Sequence, residues 1–326
     1  MTNDVTHDRT NGPPVGRVRE ATPTSNTDPL PPIAVLGAGQ MGTGIAHALL
    51  AAGHQVTLLD TQPAQLDKAQ GAIRTIFAGA IQLGKLTEDA VHHALARLTT
   101  ASDLDTALRS TPFSWLIESV VESLPVKTEL LALADRLLPP GSLLASNTSA
   151  LSITELAAAT RRPERCIGLH FFNPVHKMKL LEVVRGLATS EDTVRAARAL
   201  GERLKKNVVV VNDSPGMTTS RMSALLGNEA MYMLQEGLAT AEDIDASLRG
   251  GLNHPMGPLE LGDLTGWDTR LAVLQYLHRT LGEKYRPCPL ITKMVAAGHT
   301  GRKTGLGVYR YENGERVPGS GLQARP

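Results

Sequence analysis

Residues 33–60 read IAVLGAGQMGTGIAHALLAAGHQVTLLD, and this stretch decides the fold. A short apolar run leads into a glycine turn of the form GxGxxG, then a helical pattern, and then a second apolar run. Strand, glycine turn, helix and strand in this order are typical of a unit that binds a dinucleotide. The alternative is an ordinary glycine turn, because the three-glycine pattern alone is a weak signal.

The glycine turn offers a place for a pyrophosphate group. Gly37 permits the tight turn, Gly39 lets the backbone approach the phosphates, and Gly42 allows the helix to pack closely on the strand. The helix that begins around Gln40 and Met41 directs free backbone amides toward an anion. We therefore predict that these five residues bind the cofactor.

Asp60 ends the second apolar run, 18 residues after Gly42. At this position a carboxylate can accept hydrogen bonds from the ribose hydroxyls of the cofactor. No arginine follows within Thr61, Gln62 and Pro63, so a 2′-phosphate would meet a negative charge without a positive partner. We predict NAD as the cofactor, in preference to NADP. The alternative is a solvated aspartate with no ligand.

Short apolar runs and longer amphipathic runs alternate up to residue 212. The predicted strands are 33–36, 56–60, 115–120, 143–145, 166–170, 180–184 and 208–211. The predicted helices between them include 41–52, 63–83, 126–137, 153–159 and 191–204. Such alternation indicates a parallel sheet with helices on both faces. We predict an α/β fold, with a Rossmann-type doubly wound and mostly parallel sheet over residues 31–212.

The strand pattern stops after residue 212, and helical patterns continue from there. Ser214 followed by Pro215 is a favourable helix start, so we predict an all-helical C-terminal domain over residues 213–311. Residues 1–30 are polar and poor in large apolar groups, which predicts a disordered tail. Residues 312–326 have a similar character and are predicted to form a flexible tail.

Composition argues against several classes of partner. A net charge of +1, 3% aromatic residues and no run of basic residues disfavour nucleic-acid binding. The two cysteines lack a CxxC arrangement, so we expect neither a disulfide framework nor a metal site, and we expect a cytoplasmic protein. Residues 29–59 carry no charge but contain five glycines, so we expect no membrane span.

Four motifs carry a resemblance to a known family. They are SNTS at 146–149, GLHFFNP at 168–174, NHPMGPLE at 253–260 and GRKTG at 301–305. Together they resemble the 3-hydroxyacyl-CoA dehydrogenase family, in particular its bacterial 3-hydroxybutyryl-CoA members, over residues 33–311. The resemblance implies reversible NAD-dependent oxidation of an (S)-3-hydroxyacyl-CoA thioester of short chain, such as 3-hydroxybutyryl-CoA. It also implies that the thioester binds between the two domains and that the helical domain forms a homodimer.

The resemblance assigns three residues to the chemistry. His170 matches the catalytic histidine, Glu182 its partner carboxylate, and Ser149 the serine that contacts the substrate oxygen. Oxidation of an alcohol requires a base that works near neutral pH, which suits histidine, and a carboxylate can orient that histidine. The alternatives are a structural histidine, a rim carboxylate paired with Arg185, and a serine that caps a helix.

The resemblance also assigns cofactor contacts, namely Glu122, Lys127, Asn147, Asn173 and Lys303. Glu122 and Lys127 could instead be an exposed loop pair, and Lys303 could lie in a solvated turn. For the phosphates of CoA the sequence leaves three basic candidates, which are Lys68, Arg74 and Lys85.

Ser220 departs from the family pattern. It stands where the best-known members carry an asparagine, and we include it in the site because its hydroxyl can still donate one hydrogen bond.

Two other functions stay open. One is the same chemistry on a substrate bound to an acyl-carrier protein, and the other is a catalytically silent NAD-binding protein.

Overall fold

The computed structural model describes residues 30–323. The tail predicted for residues 1–30 therefore lies outside the described residues, except for Leu30. Eight strands form one sheet in the order β3-β2-β1-β4-β5-β6-β7-β8. They are β1 Ile33–Leu36, β2 Val56–Leu59, β3 Leu98–Ala101, β4 Trp115–Glu118, β5 Leu143–Ser146, β6 Cys166–Phe171, β7 Leu180–Arg185 and β8 Asn207–Asn212.

Seven helices accompany the sheet and lie on both of its faces. They are α1 Gln40–Ala51, α2 Pro63–Gln82, α3 Glu88–Leu95, α4 Leu104–Ser110, α5 Leu124–Leu137, α6 Ile153–Ala158 and α7 Glu191–Arg203. One apolar core lies between the sheet and α1, α2 and α7, and a second lies on the opposite face against α5 and α6. Burial on both faces explains why the central strands read as continuous apolar runs.

Within the eight-stranded sheet of the described residues, only one pair of neighbouring strands is antiparallel. β6 and β7 run in opposite directions, and every other pair in the sheet is parallel. The register of this pair sets His170 directly opposite Glu182. The mostly parallel sheet confirms the predicted fold class. The apolar pattern of the sequence does not reveal β3, because its residues Leu98–Ala101 read LTTA and lie partly exposed at the sheet edge.

A helical domain follows the sheet. Its helices are α8 Thr219–Gln235, α9 Ala241–Leu252, α10 Pro258–Thr265, α11 Trp267–Leu281 and α12 Pro289–Ala296. They enclose a separate core around the fully buried Trp267 and Tyr285. The helix start predicted at Ser214 and Pro215 is wrong by about one turn. Gly216 and Met217 have φ angles of 72° and 48°, which end any helix there and delay α8 to Thr219.

Residues 312–323 differ from the predicted flexible tail, and residues 324–326 of that prediction lie outside the described residues. Two short strands, β9 Tyr311–Glu312 and β10 Glu315–Arg316, form a hairpin around Asn313 and Gly314. Both turn residues have positive φ, as a two-residue hairpin turn requires. Gly321 N donates to Glu242 Oε1 at 2.8 Å, so the segment is tied back to the helical domain. The dipeptide Asn-Gly carried this signal in the sequence.

Candidate active site

The glycine turn lies between β1 and α1, and packing explains two of its glycines. A Cβ atom on Gly37 would lie 2.6 Å from the Ser119 carbonyl oxygen, and one on Gly42 would lie 1.8 Å from the Gly37 carbonyl oxygen. A Cβ on Gly39 would meet nothing within 4 Å. No side chain caps α1, so the amides of its first turn, beside the exposed Gly39 and Gln40, are free to bind an anion. This turn fits the pyrophosphate of a dinucleotide.

Asp60 is joined directly to this turn. Its Oδ2 atom accepts a hydrogen bond from Ala38 N at 2.8 Å, and its Oδ1 atom accepts one from Gln62 N at 2.9 Å. The carboxylate is half-buried, so part of it stays open to a ligand. The end of β2 and the glycine turn therefore form one preorganised unit, as a ribose and its neighbouring phosphates require.

His170 and Glu182 form a buried pair across β6 and β7. The distance between His170 Nδ1 and Glu182 Oε2 is 2.7 Å, and the two side chains are 8% and 0% exposed. Because an ionised carboxylate can only accept, Nδ1 carries the proton and donates it, which leaves Nε2 available to a substrate. Arg185, the alternative partner of Glu182, binds Glu191 instead.

Glu182 is held in its ionised form. Burial opposes its ionisation, but hydrogen bonds from His170, Thr218 and Thr219 outweigh burial and lower the pKa of Glu182 from 4.5 to about 2. A carboxylate that stays charged beside an imidazole stabilises the protonated ring. The pair therefore has the arrangement of a general acid/base with an orienting carboxylate.

Ser149 is positioned by Glu122. Glu122 Oε1 accepts hydrogen bonds from Thr148 Oγ1 at 2.5 Å, from Ser149 N at 2.9 Å and from Ser149 Oγ at 3.3 Å. The helix cap considered for Ser149 is made by Ser152, whose hydroxyl accepts a hydrogen bond from Glu155 N at the start of α6. The Ser149 hydroxyl, bound only by a long contact, is free to turn toward a substrate oxygen.

Lys127 does not face the site in the way the resemblance implies. Its side chain has no exposed surface, and Nζ donates to Glu118 Oε1 at 2.7 Å and to Asn147 O at 3.2 Å. A fully buried ammonium group cannot contact a cofactor directly in this arrangement, so we correct this prediction to a positioning role. Glu122 Oε2 lies 3.5 Å from the same Nζ atom.

Glu118 is a buried acid that the predicted site residues do not include. This side chain is fully buried and accepts hydrogen bonds from Lys127, from Ser146 Oγ at 2.6 Å and from Val120 N at 2.6 Å. It is the only acid in the apolar strand WLIE, just as Glu182 is the only acid in the strand LLEVVR. A charged group in an apolar strand must have partners, so the signal was present in the sequence.

The remaining predicted residues lie in different places. Asn147 spans two strand ends, because Oδ1 accepts from Phe171 N at 3.0 Å and Nδ2 donates to Ser119 Oγ at 3.2 Å. Asn173 is exposed just after β6. Lys303 lies in the helical domain, where Nζ donates to Asp268 Oδ2 at 2.6 Å. Ser220 is the second residue of α8.

A cavity of about 470 Å³ adjoins the glycine turn. Gly39, Lys68, Ile76, Asn173 and His176 are among the residues that line it. Of the three basic candidates for the CoA phosphates, Lys68 lines this cavity, and Arg74 and Lys85 do not. Within residues 30–323, no group of three His, Cys, Asp or Glu side chains could hold a metal ion, and none of the helices described could span a bilayer.

Comparison with known proteins assigns both parts of the chain to domains of one protein family. Residues 32–214 match the model of the 3-hydroxyacyl-CoA dehydrogenase NAD binding domain, and residues 216–311 match that of the C-terminal domain of the same family. A probable 3-hydroxybutyryl-CoA dehydrogenase of Bacillus subtilis is 46% identical over 281 residues, which cover 86% of this chain and 97% of that protein.

Two further relatives extend the comparison. The 3-hydroxyadipyl-CoA dehydrogenase of Escherichia coli is 40% identical over 294 residues, which cover 90% of this chain and 61% of that protein. The crystal structure of the (S)-3-hydroxybutyryl-CoA dehydrogenase from Ralstonia eutropha superposes with a TM-score of 0.83 at 42% identity, covering 86% of this chain and 99% of that one. The chain therefore belongs to the 3-hydroxyacyl-CoA dehydrogenase family of NAD-dependent oxidoreductases.

Proposed function

We propose that this protein interconverts short-chain (S)-3-hydroxyacyl-CoA and 3-oxoacyl-CoA thioesters, with 3-hydroxybutyryl-CoA as the preferred hydroxy substrate and His170 as the general acid/base. The observation that carries the proposal is the buried pair of His170 and Glu182, 2.7 Å apart, in the domain that holds the glycine turn. The names of the relatives from Bacillus subtilis and Ralstonia eutropha support the same substrate.

In the oxidising direction, the chain's own residues accept the proton of the substrate hydroxyl. The glycine turn and Asp60 would hold NAD, which when bound would supply the hydride acceptor for the carbon that bears the hydroxyl. His170 Nε2 takes the hydroxyl proton, and in the reverse direction it returns that proton to the oxygen. Glu182 keeps the ring oriented through Nδ1 and compensates the positive charge that the ring acquires. Ser149 donates a hydrogen bond to the substrate oxygen, and Glu122 holds the Ser149 backbone in place.

The cavity beside the glycine turn supports a place for the thioester. Its walls combine apolar side chains, such as Ala72 and Ile76 on α2, with the exposed polar groups of Lys68, Asn173 and His176. An apolar wall suits the pantetheine arm, and a cation suits a phosphate. We propose Lys68 as the phosphate contact, because the other two basic candidates do not line the cavity.

We further propose that the boundary between the two domains of the chain lies between residues 212 and 213. We also propose that the protein forms a homodimer through the helical domain. Five large apolar side chains among the described residues of this domain are exposed in the single chain, namely Met222, Leu238, Leu252, Leu264 and Leu306. Exposed apolar groups of this kind are common at subunit interfaces. Sedimentation velocity tests the assembly, because a Met222→Glu/Leu264→Glu variant should shift the protein from dimer to monomer. A wild-type protein that sediments as a monomer at high concentration would refute the dimer.

The activity is tested by NADH oxidation with acetoacetyl-CoA, longer 3-oxoacyl-CoA thioesters, 3-oxoadipyl-CoA and the acetoacetyl carrier-protein conjugate. We expect the highest kcat/KM for acetoacetyl-CoA. A higher kcat/KM for the carrier-bound substrate would favour the biosynthetic alternative. A higher value for 3-oxoadipyl-CoA would align the chain with its Escherichia coli relative. NAD binding without turnover of any substrate would favour the silent alternative.

A further inference from the structure

The start of α8 reaches into the site and binds Glu182. Thr218 Oγ1 donates to Glu182 Oε1, Thr219 N donates to the same oxygen at 3.2 Å, and Thr219 Oγ1 donates to Oε2 at 2.9 Å. His170 Nδ1 also donates to Oε2. Glu182 belongs to β7 of the sheet, whereas both threonines belong to the segment that begins the helical domain. The carboxylate is thus shared by groups from both parts of the chain.

We propose that Thr218 and Thr219 are positioning residues of the acid/base pair, holding the Glu182 carboxylate in the orientation in which Oε2 meets His170. This inference rests on the proposed role of His170. Both threonine hydroxyls donate to Glu182, so they act on His170 through that carboxylate. Their hydroxyls are neutral, so they stabilise the charged carboxylate without competing with the imidazolium for its charge.

Burial explains why Glu182 needs these donors. Its side chain is 0% exposed, and a carboxylate removed from water must recover hydrogen bonds for both oxygens. His170 supplies one donor, to Oε2, and within residues 30–323 the donors to Oε1 come only from Thr218 and Thr219. Without the hydroxyls, the carboxylate can rotate to seek other donors, and the bond to His170 Nδ1 would lose its fixed geometry.

The turn before α8 fixes where the threonines lie. Gly216 and Met217 both have positive φ, which makes residues 215–218 a tight turn. The Met217 side chain is 5% exposed and packs into the apolar core on the α5 and α6 face of the sheet, together with Ile153 and Val184. Val184 lies two residues after Glu182 on β7. The turn is therefore anchored to the same strand that carries the carboxylate.

A purely structural role is the competing explanation, in which the threonines only fasten the helical domain to the sheet. The two explanations differ in kinetics. A fastening role lowers stability and leaves kcat of the folded enzyme unchanged. A positioning role lowers kcat and leaves KM and the Kd for NAD nearly unchanged, because neither threonine forms the cofactor turn or lines the cavity.

The test uses paired substitutions in the full-length enzyme. Thr218→Val and Thr219→Val remove the hydroxyls at nearly constant shape, and Thr218→Ser and Thr219→Ser retain them. We expect each valine variant to lose about three- to tenfold in kcat and the double variant to lose more, because the geometry of the Glu182–His170 bond is disturbed but the bond is retained. We expect each serine variant to stay within about twofold of wild type.

Ser152→Ala is the matched control. Ser152 Oγ donates to Asp213 Oδ2 at 2.7 Å, a bond that also joins the sheet domain to the start of the helical domain but does not involve Glu182. We expect its kcat to match that of wild type. An unchanged kcat in the Thr218→Val/Thr219→Val variant would overturn the proposal. Serine variants as slow as the valine variants would also overturn it, since the methyl groups would then carry the effect.

A double-mutant cycle separates this inference from the proposed function. In a His170→Gln background, Thr219→Val should cause no further loss of the residual turnover, because the pair that it positions is already broken. Losses that multiply would show that Thr219 acts independently of His170, and would refute the inference alone. Near wild-type turnover in His170→Gln itself would refute both the role of His170 and the role of the threonines.

Discussion

Glu118 and Lys127 form an ion pair with no exposed surface, in which Lys127 Nζ lies 2.7 Å from Glu118 Oε1 at the carboxyl end of β4. Glu118 Oε2 also accepts from Ser146 Oγ at the end of β5, and Lys127 Nζ donates to the Asn147 carbonyl. Buried charges are stable only when each is paired and hydrogen-bonded. This pair therefore holds the ends of β4 and β5 together, and the loops of the site begin at those two ends.

Lys127→Met should destabilise the fold by about 3–5 kcal/mol, because it leaves Glu118 charged and unpaired in the interior. Urea unfolding of the variant measures this free energy, and Glu118→Gln/Lys127→Met should recover part of the loss. Calorimetry should show a nearly unchanged Kd for NAD in whatever protein stays folded. A weakened Kd with unchanged stability would instead support a direct contact between Lys127 and the cofactor.

His170→Gln should lower kcat by at least about a thousandfold, since it removes the acid/base and uncouples the buried Glu182. The Kd for NAD, measured by fluorescence titration, should barely change, because the glycine turn and Asp60 are untouched. A variant that keeps more than about a tenth of wild-type turnover would remove His170 from the mechanism.

The enzyme should use NAD with at least about a hundredfold higher kcat/KM than NADP, because Asp60 would repel a 2′-phosphate. Asp60→Asn should narrow this ratio mainly through better use of NADP. It should also weaken NAD binding somewhat, since Asp60 accepts hydrogen bonds from both Ala38 N and Gln62 N. Steady-state kinetics with both cofactors gives the ratio of kcat/KM for NAD to kcat/KM for NADP, in the wild-type enzyme and in the variant. Equal kcat/KM values in the wild-type enzyme would contradict the role of Asp60.

Ser220 lies beside Thr219 at the second position of α8, half-buried. If its hydroxyl binds the substrate, Ser220→Ala should lose about 0.5–1.5 kcal/mol, or roughly two- to tenfold in kcat/KM. Ser220→Asn should then be tolerated and bind the substrate more tightly. Kinetics and thermal unfolding of both variants decide the matter. A fully active alanine variant together with a destabilised asparagine variant would mean that Ser220 only packs against its neighbours.

Stability should fall as the pH drops from about 6.5 to about 4, and His47 is one cause. Burial, together with the charges of His176 and Lys206, lowers the pKa of His47 from 6.5 to about 4. Between these values the unfolded chain binds a proton that the folded chain does not, so stability is lost as the pH falls through the window. The contribution of His47 is on the order of 3 kcal/mol.

His47→Leu should make the stability flatter between pH 4 and 6.5, as measured by urea unfolding at several pH values. The slope should shrink without vanishing, because burial also lowers the pKa of His54, which the variant retains. The substitution also changes packing against Phe77, whose ring centroid lies 4.3 Å from that of His47. The slope of the unfolding free energy against pH is therefore compared between the two proteins, and not its absolute value. An unchanged slope would mean that His47 binds its proton over the same pH range in the folded and the unfolded chain, and would contradict the lowered pKa of His47.

Much of the predicted cofactor site could be identified from the sequence, because the patterns that mark it lie within short stretches of the chain. Gly37, Gly39 and Gly42 are set by backbone geometry within one turn, and Asp60 is set by its position at the end of a strand. The Asn-Gly turn of the C-terminal hairpin was equally local but was overlooked. The edge strand β3 was missed because exposed strands need no apolar pattern.

By itself, the sequence determined which residues could do the chemistry, since strand periodicity and motif spacing are properties of neighbouring residues. Only the tertiary structure decided which of them act together. The register of β6 on β7 sets His170 opposite Glu182, and the turn before α8 brings Thr218 and Thr219 to the same carboxylate. It also buries Lys127 completely against Glu118. Hydrogen bonds to a buried charge are chosen by the packing of distant segments, because burial makes every unmet donor or acceptor costly, and burial is not a property of any one stretch of sequence.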